Sequence, residues 1–303
     1  MNAPELLLAG PTAVGKTEVA LQLAERLGGE IISVDSIQVY RGLDIGTAKP
    51  TIEERARVPH HLIDILDPHE TFDAAQFIRR ASDAVRDIRG RNRLPILCGG
   101  TGLYFKAWLE GIGQAPAGDA ELRAQLEQVP LDALLDELRN SDPETFARID
   151  RKNPRRVIRA IEVIRLSGKP FSEQRARHPA KPAAFFVLQR ERADLHRRID
   201  RRVDEMFARG LVEETRRALN SPAARQALGY RQVVEHLEGK RGLEETIALV
   251  KLRTHQYAKR QLTWFRHQAQ AEWIEADQAA RAIENSVLTL AAARQTVYKR
   301  QRA

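Results

Sequence analysis

Cysteine is almost absent from this chain of 303 residues: Cys98 stands alone. An internal disulfide and a cysteine-built zinc site are therefore excluded, and a reducing cytoplasm is the expected setting. Long apolar runs are missing too. No stretch approaches the length that spans a bilayer, and the N-terminus enters its first strand without the charged lead and apolar core of a secretory signal, so we expect a soluble, cytoplasmic protein with no membrane partner. Internal repeats and low-complexity tracts are also lacking.

What is present suffices for a full core, since 43% of residues are hydrophobic and the length accommodates one large domain plus a smaller one. The net charge of +8, from 49 Lys+Arg against 41 Asp+Glu, is modest but uneven. Residues 151–202 hold 16 basic side chains against 5 acidic ones, which localises any attraction for a polyanion.

Gly10-Pro11-Thr12-Ala13-Val14-Gly15-Lys16-Thr17 fits G-x-x-x-x-G-K-[ST] at every fixed position. The apolar strand Leu6-Leu7-Leu8-Ala9 precedes it. A helical pattern with Val19, Ala20, Leu23, Ala24 and Leu27 follows, closed by Gly28-Gly29. In that order the glycines let backbone N–H groups curl round an anion and the helix N-terminus adds partial positive charge, so the loop seats two linked phosphates. Lys16 is expected to neutralise phosphate oxygens and Thr17 to hold Mg²⁺.

A second strand, Ile31-Ile32-Ser33-Val34, ends at Asp35-Ser36-Ile37-Gln38-Val39-Tyr40. A third, Leu94-Pro95-Ile96-Leu97-Cys98, runs into Gly99-Gly100-Thr101-Gly102 and a helix over residues 103–109. A further helical pattern over residues 73–89 alternates with them, which predicts an α/β fold: a P-loop-type parallel sheet core with helices on both faces. Ligands of such sheets bind beyond the carboxyl ends of the strands, so the phosphate loop, Asp35 and Thr101 should converge on one crevice. Gly46-Thr47-Ala48-Lys49-Pro50 reads as a loop and His60-His61-Leu62-Ile63-Asp64 as the start of a short strand. Lys49 either reaches the crevice or is a solvated loop lysine.

After Gly111-Ile112-Gly113 only helical patterns occur until about Pro182. The expected division is a discontinuous core of residues 1–113 and 183–303, with C-terminal helices, and an inserted all-helical domain of residues 114–182. Its clearest helix starts at Asn153-Pro154 and stops at Gly168. Val157, Ile161 and Ile164 form its buried side, leaving Arg155, Arg156, Arg159 and Arg165 for solvent or an anionic partner. His178-Pro179-Ala180-Lys181-Pro182 ends the insertion and residues 185–188 return as a strand. The next helix, residues 195–209, carries Arg197, Arg198, Arg201 and Arg202; His196 on it reads as a surface residue, with no histidine at i+4 to support a metal. Over residues 243–267 Ile247, Val250, Thr254, Tyr257, Gln261 and Trp264 form a stripe that is mostly core. The basic residues Lys259, Arg260 and Arg266 beside it form an aromatic and cationic mixture that can also clamp a nucleic-acid strand. Beyond Trp273 an alanine-rich helix leads to a loose basic tail, Tyr298-Lys299-Arg300-Gln301-Arg302.

An ATP-hydrolysing machine would show a second acidic motif, but the strand ending at Cys98 closes on Gly-Gly-Thr, and only Asp64 offers a substitute. Transfer is the more natural chemistry. A small-molecule or nucleotide kinase could use Asp35 to activate an acceptor, yet it needs neither a cationic insertion nor a second basic, aromatic helix; those features call for a polyanionic acceptor. A phosphate loop of this kind would also serve an adenylate prenyltransferase acting on a free nucleotide, or a nucleotide-gated RNA-binding protein.

Gly10 to Thr17, Asp35-Ser36-Ile37-Gln38-Val39-Tyr40, Gly46-Thr47-Ala48-Lys49-Pro50, His60-His61-Leu62-Ile63-Asp64, Gly99-Gly100-Thr101-Gly102-Leu103-Tyr104, Asn153-Pro154-Arg155-Arg156-Val157-Ile158-Arg159, Leu228-Gly229-Tyr230 and Tyr257-Ala258-Lys259-Arg260-Gln261-Leu262-Thr263-Trp264-Phe265-Arg266 together resemble the bacterial tRNA dimethylallyltransferases, in order and spacing, as far as about Arg266. The C-terminal zinc finger of eukaryotic relatives is ruled out by the single cysteine.

The resemblance implies transfer of a dimethylallyl group from its diphosphate to N6 of adenosine 37 beside the tRNA anticodon. The loop residues Gly10, Pro11, Thr12, Ala13, Val14, Gly15, Lys16 and Thr17 would then hold a leaving group, with Mg²⁺ on Thr17. Arg202, by likeness to the family's Arg-Ile-x-x-Arg helix, would add a cation, while Arg201 points elsewhere. Asp35 would be the base that takes a proton from the amine, its other reading being a turn cap. Thr101 would hydrogen-bond the incoming nucleotide or merely cap the helix from Leu103. The tRNA contacts would map to Asp35, Ser36, Ile37 and Gln38; to Thr101 and Arg123; to Arg155, Arg156, Val157, Ile158 and Arg159; to Gln226, Ala227, Leu228, Gly229, Tyr230 and Arg231; and to Lys259, Arg260, Gln261, Leu262, Thr263, Trp264, Phe265 and Arg266. A monomer is expected, because tRNA can cover the basic surface.

Overall fold

Four consecutive apolar residues, Leu6–Ala9, are buried on both sides of the strand they form, as a central parallel strand requires. In the computed structural model, which describes residues 5–174, 176 and 184–289, this is β1 of a six-stranded parallel sheet. The others are β2 (Gly29–Val34), β3 (His60–His61), β4 (Leu94–Gly99), β5 (Ala184–Gln189) and β6 (Glu272–Glu275), in the order β3-β2-β4-β1-β5-β6. Register sets the site: Ala9 pairs with Gly99, and Gly99 with Val34, so the chain leaves β1, β4 and β2 at one level. The residues just beyond are Gly10, Gly100 and Asp35.

Helices α1 (Lys16–Leu27), α2 (Ile52–Arg57), α3 (Ala74–Gly90) and α4 (Gly102–Glu110) come first, then α5 (Ala120–Glu127), α6 (Leu131–Ser141), α7 (Pro143–Arg148) and α8 (Pro154–Ser167). After β5 come α9 (Arg192–Ala208), α10 (Leu211–Arg217), α11 (Pro222–Gln226), α12 (Tyr230–Leu237) and α13 (Leu243–Gln268). Alternate strand residues select the two faces. Leu6, Leu8, Ile96 and Phe186 share a core with Val19 and Leu23 of α1 and Ile199 and Val203 of α9. On the other face Phe185 stacks on Phe105 of α4 at 5.2 Å, and Phe105 meets Phe265 of α13 edge-on. β6 is absent from the expectations: a four-residue edge strand with only Ile274 buried has too little apolar alternation to stand out.

The chain divides into two compact units, Met1–Lys106 with Pro182–Ala303, and Ala107–Lys181. The first break falls inside α4, earlier than Gly111-Ile112-Gly113, because a continuous helix rather than a loop carries the chain across. The expected closing segment, residues 178–182, and the C-terminal tail, residues 298–302, lie outside the described residues. Within the insertion Leu126, Leu134, Leu138, Val157 and Ile161 form a core of their own, each large side chain contributing about 1.5–3 kcal/mol. Pro154 opens α8, and Gly168, in the left-handed region at φ 67°, ends it by donating to Ile164 O. Asn153 holds the cap position without the expected side-chain bond.

Candidate active site

The turn after β1 needs backbone conformations that side chains resist. Gly10 (φ 156°) and Gly15 (φ 109°) adopt them freely, and Ala13 (φ 63°) adopts one despite its Cβ. A Cβ at Gly10 would also lie 3.0 Å from Leu188 O. Gly15 caps α1 without a side-chain bond, leaving the helix's first N–H groups for an anion. Arg190 braces the loop from behind, donating to Val14 O at 2.8 Å while paired with Asp277.

Beyond the strand ends lies a cavity of about 580 Å³, lined by Thr12, Ala13, Gly15, Lys16 and Thr17 of the loop, Asp35 through Gln38, Arg202 of α9, Gln226 through Gly229, and Thr254, Tyr257 and Gln261 of α13. Lys16 donates to the carbonyls of Gly10 and Pro11 at 3.0 and 2.7 Å. Burial pulls its ammonium down to about 8, with the Arg202 charge adding to the fall and Cys98 and Asp35 opposing it. Burial pushes the Cys98 thiol up to about 11 even beside Lys16, so it is protonated and no nucleophile. Arg202, whose pKa burial also lowers, makes no hydrogen bond or ion pair among the described residues. Its neighbours differ: Arg190, Arg197 and Arg198 reach Asp194, and the exposed Arg201 reaches Glu205.

Asp35 serves its turn and keeps an oxygen in hand. Its Oδ1 accepts from the N–H groups of Ile37 (2.8 Å) and Gln38 (3.2 Å), and Oδ2 has no hydrogen bond among the described residues. Tyr257, its phenol raised by burial and by the Asp35 charge, stays protonated alongside. Gln38 accepts from Ser33 Oγ and donates to Thr47 O, joining the Asp35 turn to the loop of residues 46–50.

Glu214 organises that loop, and no motif pointed to it. It accepts from the N–H groups of Asp44, Ile45 and Gly46 and from Tyr230 Oη at 2.5 Å. Gly46 is required because a Cβ there would lie 2.5 Å from the Tyr230 ring. Lys49 follows neither expectation. It is buried, donating to Tyr40 O, Asp44 and Asp64, so it builds the loop instead of facing solvent or the crevice. Asp64 is occupied by Lys49 and Arg55 and offers no second acidic motif.

Other expected site residues separate into kinds. Thr101 is not among the cavity's lining residues; its N–H donates to Val34 O, and its carbonyl accepts from Tyr104 and Phe105 N–H, the bonding of a helix start. Gly10, Pro11 and Val14 shape the loop from behind the lining. Tyr230, Phe265 and Val157 are fully buried and Ile158 nearly so, which restricts any RNA contact there to backbone. On α13, Lys259, Arg260, Thr263 and Arg266 are exposed, Arg260 lies over Tyr257, and Arg266 lies over Trp273. Leu262 and Trp264 are half-buried, and the exposed Arg231 pairs with Glu235. In the insertion Arg155 and Arg156 are exposed with no ion pair among the described residues, whereas Arg123 and Arg159 both close on the buried Glu162, and Arg165 pairs with Glu137. His196 stacks face to face on His255, centroids 4.2 Å apart, instead of standing free at the surface.

Thr17 suits a hard divalent cation. It lines the cavity, and its hydroxyl, without a hydrogen bond among the described residues, is the hard oxygen donor such an ion takes.

Residues 38–268 match the family described as IPP transferase. The chain is 49% identical to a tRNA dimethylallyltransferase of Halorhodospira halophila, over 95% of this chain and 98% of that protein. It is 46% identical to tRNA dimethylallyltransferase 1 of Citrifermentans bemidjiense, over 89% and 91%. Its structure is similar to a tRNA isopentenylpyrophosphate transferase of Bacillus halodurans (TM-score 0.73, 40% identity, 98% of this chain and 100% of that one). It is also similar to a eukaryotic dimethylallyltransferase acting on tRNA (TM-score 0.75, 27% identity, 91% and 74%).

Proposed function

The chain belongs to the tRNA dimethylallyltransferase family, and from that premise we propose how its own residues carry out the transfer. The donor is dimethylallyl diphosphate and the acceptor N6 of adenosine 37 in the anticodon loop. The carbon–oxygen bond of the donor breaks, the C1–N6 bond forms, diphosphate leaves, and the amine's proton goes to Asp35 Oδ2. No phosphoryl group moves. One observation carries this reading: Lys16 and Arg202, which has no ion pair among the described residues, share one cavity with Asp35.

Negative charge grows on the departing diphosphate, so cations held in place beforehand stabilise the transition state more than the ground state. Thr17 would hold Mg²⁺, which when bound adds further positive charge against the diphosphate. The exocyclic amine is a poor nucleophile, its lone pair being delocalised into the ring, and Asp35 removes the proton as carbon attaches. The base must leave its stack to reach the cavity, and the exposed cations of α8 and α13, with residues 226–231, grip the stem-loop meanwhile. We assign the insertion, residues 107–181, to tRNA binding and read the protein as a cytoplasmic monomer; no described helix is long and apolar enough to cross a membrane.

The test supplies the purified chain with Mg²⁺ and dimethylallyl diphosphate, offering unmodified tRNA, AMP, or ATP with small acceptors. The expected product is N6-dimethylallyl adenosine in tRNA alone. Prenyl-AMP or ADP as the main product would replace this reading with an adenylate prenyltransferase or a kinase.

A further inference from the structure

Gln261 lies within the α13 segment assigned to RNA, yet it is only 7% exposed and both ends of its amide are engaged elsewhere. Oε1 accepts from the Thr12 N–H of the phosphate loop at 2.9 Å, and Nε2 donates to Gly100 O, beyond β4, at 3.0 Å. The fit leaves no slack, because a Cβ on Gly100 would lie 2.3 Å from that nitrogen. One turn along, Trp264 closes over Gly102, where a Cβ would meet the indole at 2.3 Å. The two flanking glycines of Gly100-Thr101-Gly102 thus serve the approach of α13.

We infer that Gln261 is a positioning residue for the diphosphate donor: it fixes the N-terminal half of the phosphate loop against Gly100 and makes α13 a wall of the donor site. The inference rests on the proposed function and deepens it. Without the amide, Thr12 N–H and Gly100 O lose partners that water reaches poorly, and the loop relaxes away from the shape in which its N–H groups meet diphosphate. The exposed Lys259 and Arg260 precede Gln261 on the same helix, so a pull by RNA on α13 is felt at Thr12.

The test compares the full-length wild type with Gln261→Met, which keeps the side chain's length but not its bonds, and with Gly100→Ala, which displaces the amide from the opposite side. Steady-state kinetics are measured for dimethylallyl diphosphate and for unmodified tRNA, with tRNA binding measured without donor and thermal unfolding measured for each variant. The donor KM should rise about tenfold in both variants while tRNA affinity stays within about twofold, and the double variant should lose less than the product of the singles. Weaker tRNA binding with an unchanged donor KM would make Gln261 an RNA contact and overturn the inference. So would unchanged kinetics, or a uniform fall of kcat, both affinities and melting temperature, the mark of packing alone. Absence of transfer by the wild type would overturn the functional reading and the inference together.

Discussion

Lys16 and Arg202 in the cavity and Arg159 in the insertion are partly shielded cations, Arg123 beside Arg159 is exposed, and the two pairs are balanced differently. The first two have no ion pair among the described residues, and burial lowers the pKa of each. The second two close on Glu162, whose side chain is fully buried. A shielded cation without a counter-charge is a burden on the fold that an incoming anion relieves, whereas a cation sharing a buried carboxylate is part of the fold. Arginine is therefore part of the architecture at Arg123 and Arg159, whereas Arg202 is free to meet diphosphate in the proposed reaction. Within the insertion, Arg155 and Arg156 are exposed with no ion pair among the described residues, which leaves them available for the proposed RNA contact.

Asp35→Ala should break this division most severely, lowering the transfer rate by about 10³-fold while tRNA affinity stays within about twofold; single-turnover rates and filter binding read the two separately. Arg202→Gln should lower kcat/KM for the donor by about 10²-fold and leave the melting temperature unchanged or raised, since it removes an unbalanced charge. Glu162→Gln should do the reverse, costing about 2 kcal/mol of stability in denaturant unfolding with the chemical step intact. Burial alone would raise the Glu162 carboxyl, but hydrogen bonds from Arg159 and Arg123 outweigh that and hold it below the ordinary range. Its stabilisation is accordingly present above the unfolded carboxylate value and lost as pH falls through the lower folded one. Wild-type stability should drop more steeply with acid than that of Glu162→Gln.

Lys16 gives a sharper pH signature. With its ammonium at about 8 in the free protein, kcat/KM for the donor should fall as pH rises through that value, about tenfold per unit, and the break should move upward in kcat because bound diphosphate favours the charged form. The smallest effect belongs to Arg155→Ala with Arg156→Ala: about tenfold weaker tRNA binding, with a salt dependence flatter by about two phosphate contacts. Unchanged binding would reduce that pair to a solvated face.

Local pattern made the sheet and the phosphate loop readable. Leu6–Ala9 is β1 as read, and the glycine spacing of residues 10–17 specifies a turn that can be named before it is seen. Asp35 was readable because a parallel strand delivers the residue beyond its end to the crevice. Partners distant in sequence were not readable: Glu214 meets Gly46 across 168 positions, and Gln261 meets Thr12 across 249. Lys49 escapes a local reading for a different reason: its partners Asp44 and Asp64 are near in sequence, but irregular loop rather than helix or strand periodicity brings them to it. A count of arginines likewise could not separate Arg155 from Arg159; the pairing with Glu162 does.

The central claim is that a phosphate loop here holds a group being expelled from carbon. Dimethylallyl diphosphate labelled at C1 and an unmodified anticodon stem-loop, mixed with excess protein and Mg²⁺ and quenched after one turnover, test it directly. The account predicts label on N6 of adenosine 37 with one intact diphosphate released per prenyl group. Unlabelled RNA with the donor left whole, or hydrolysed to the alcohol, would contradict it.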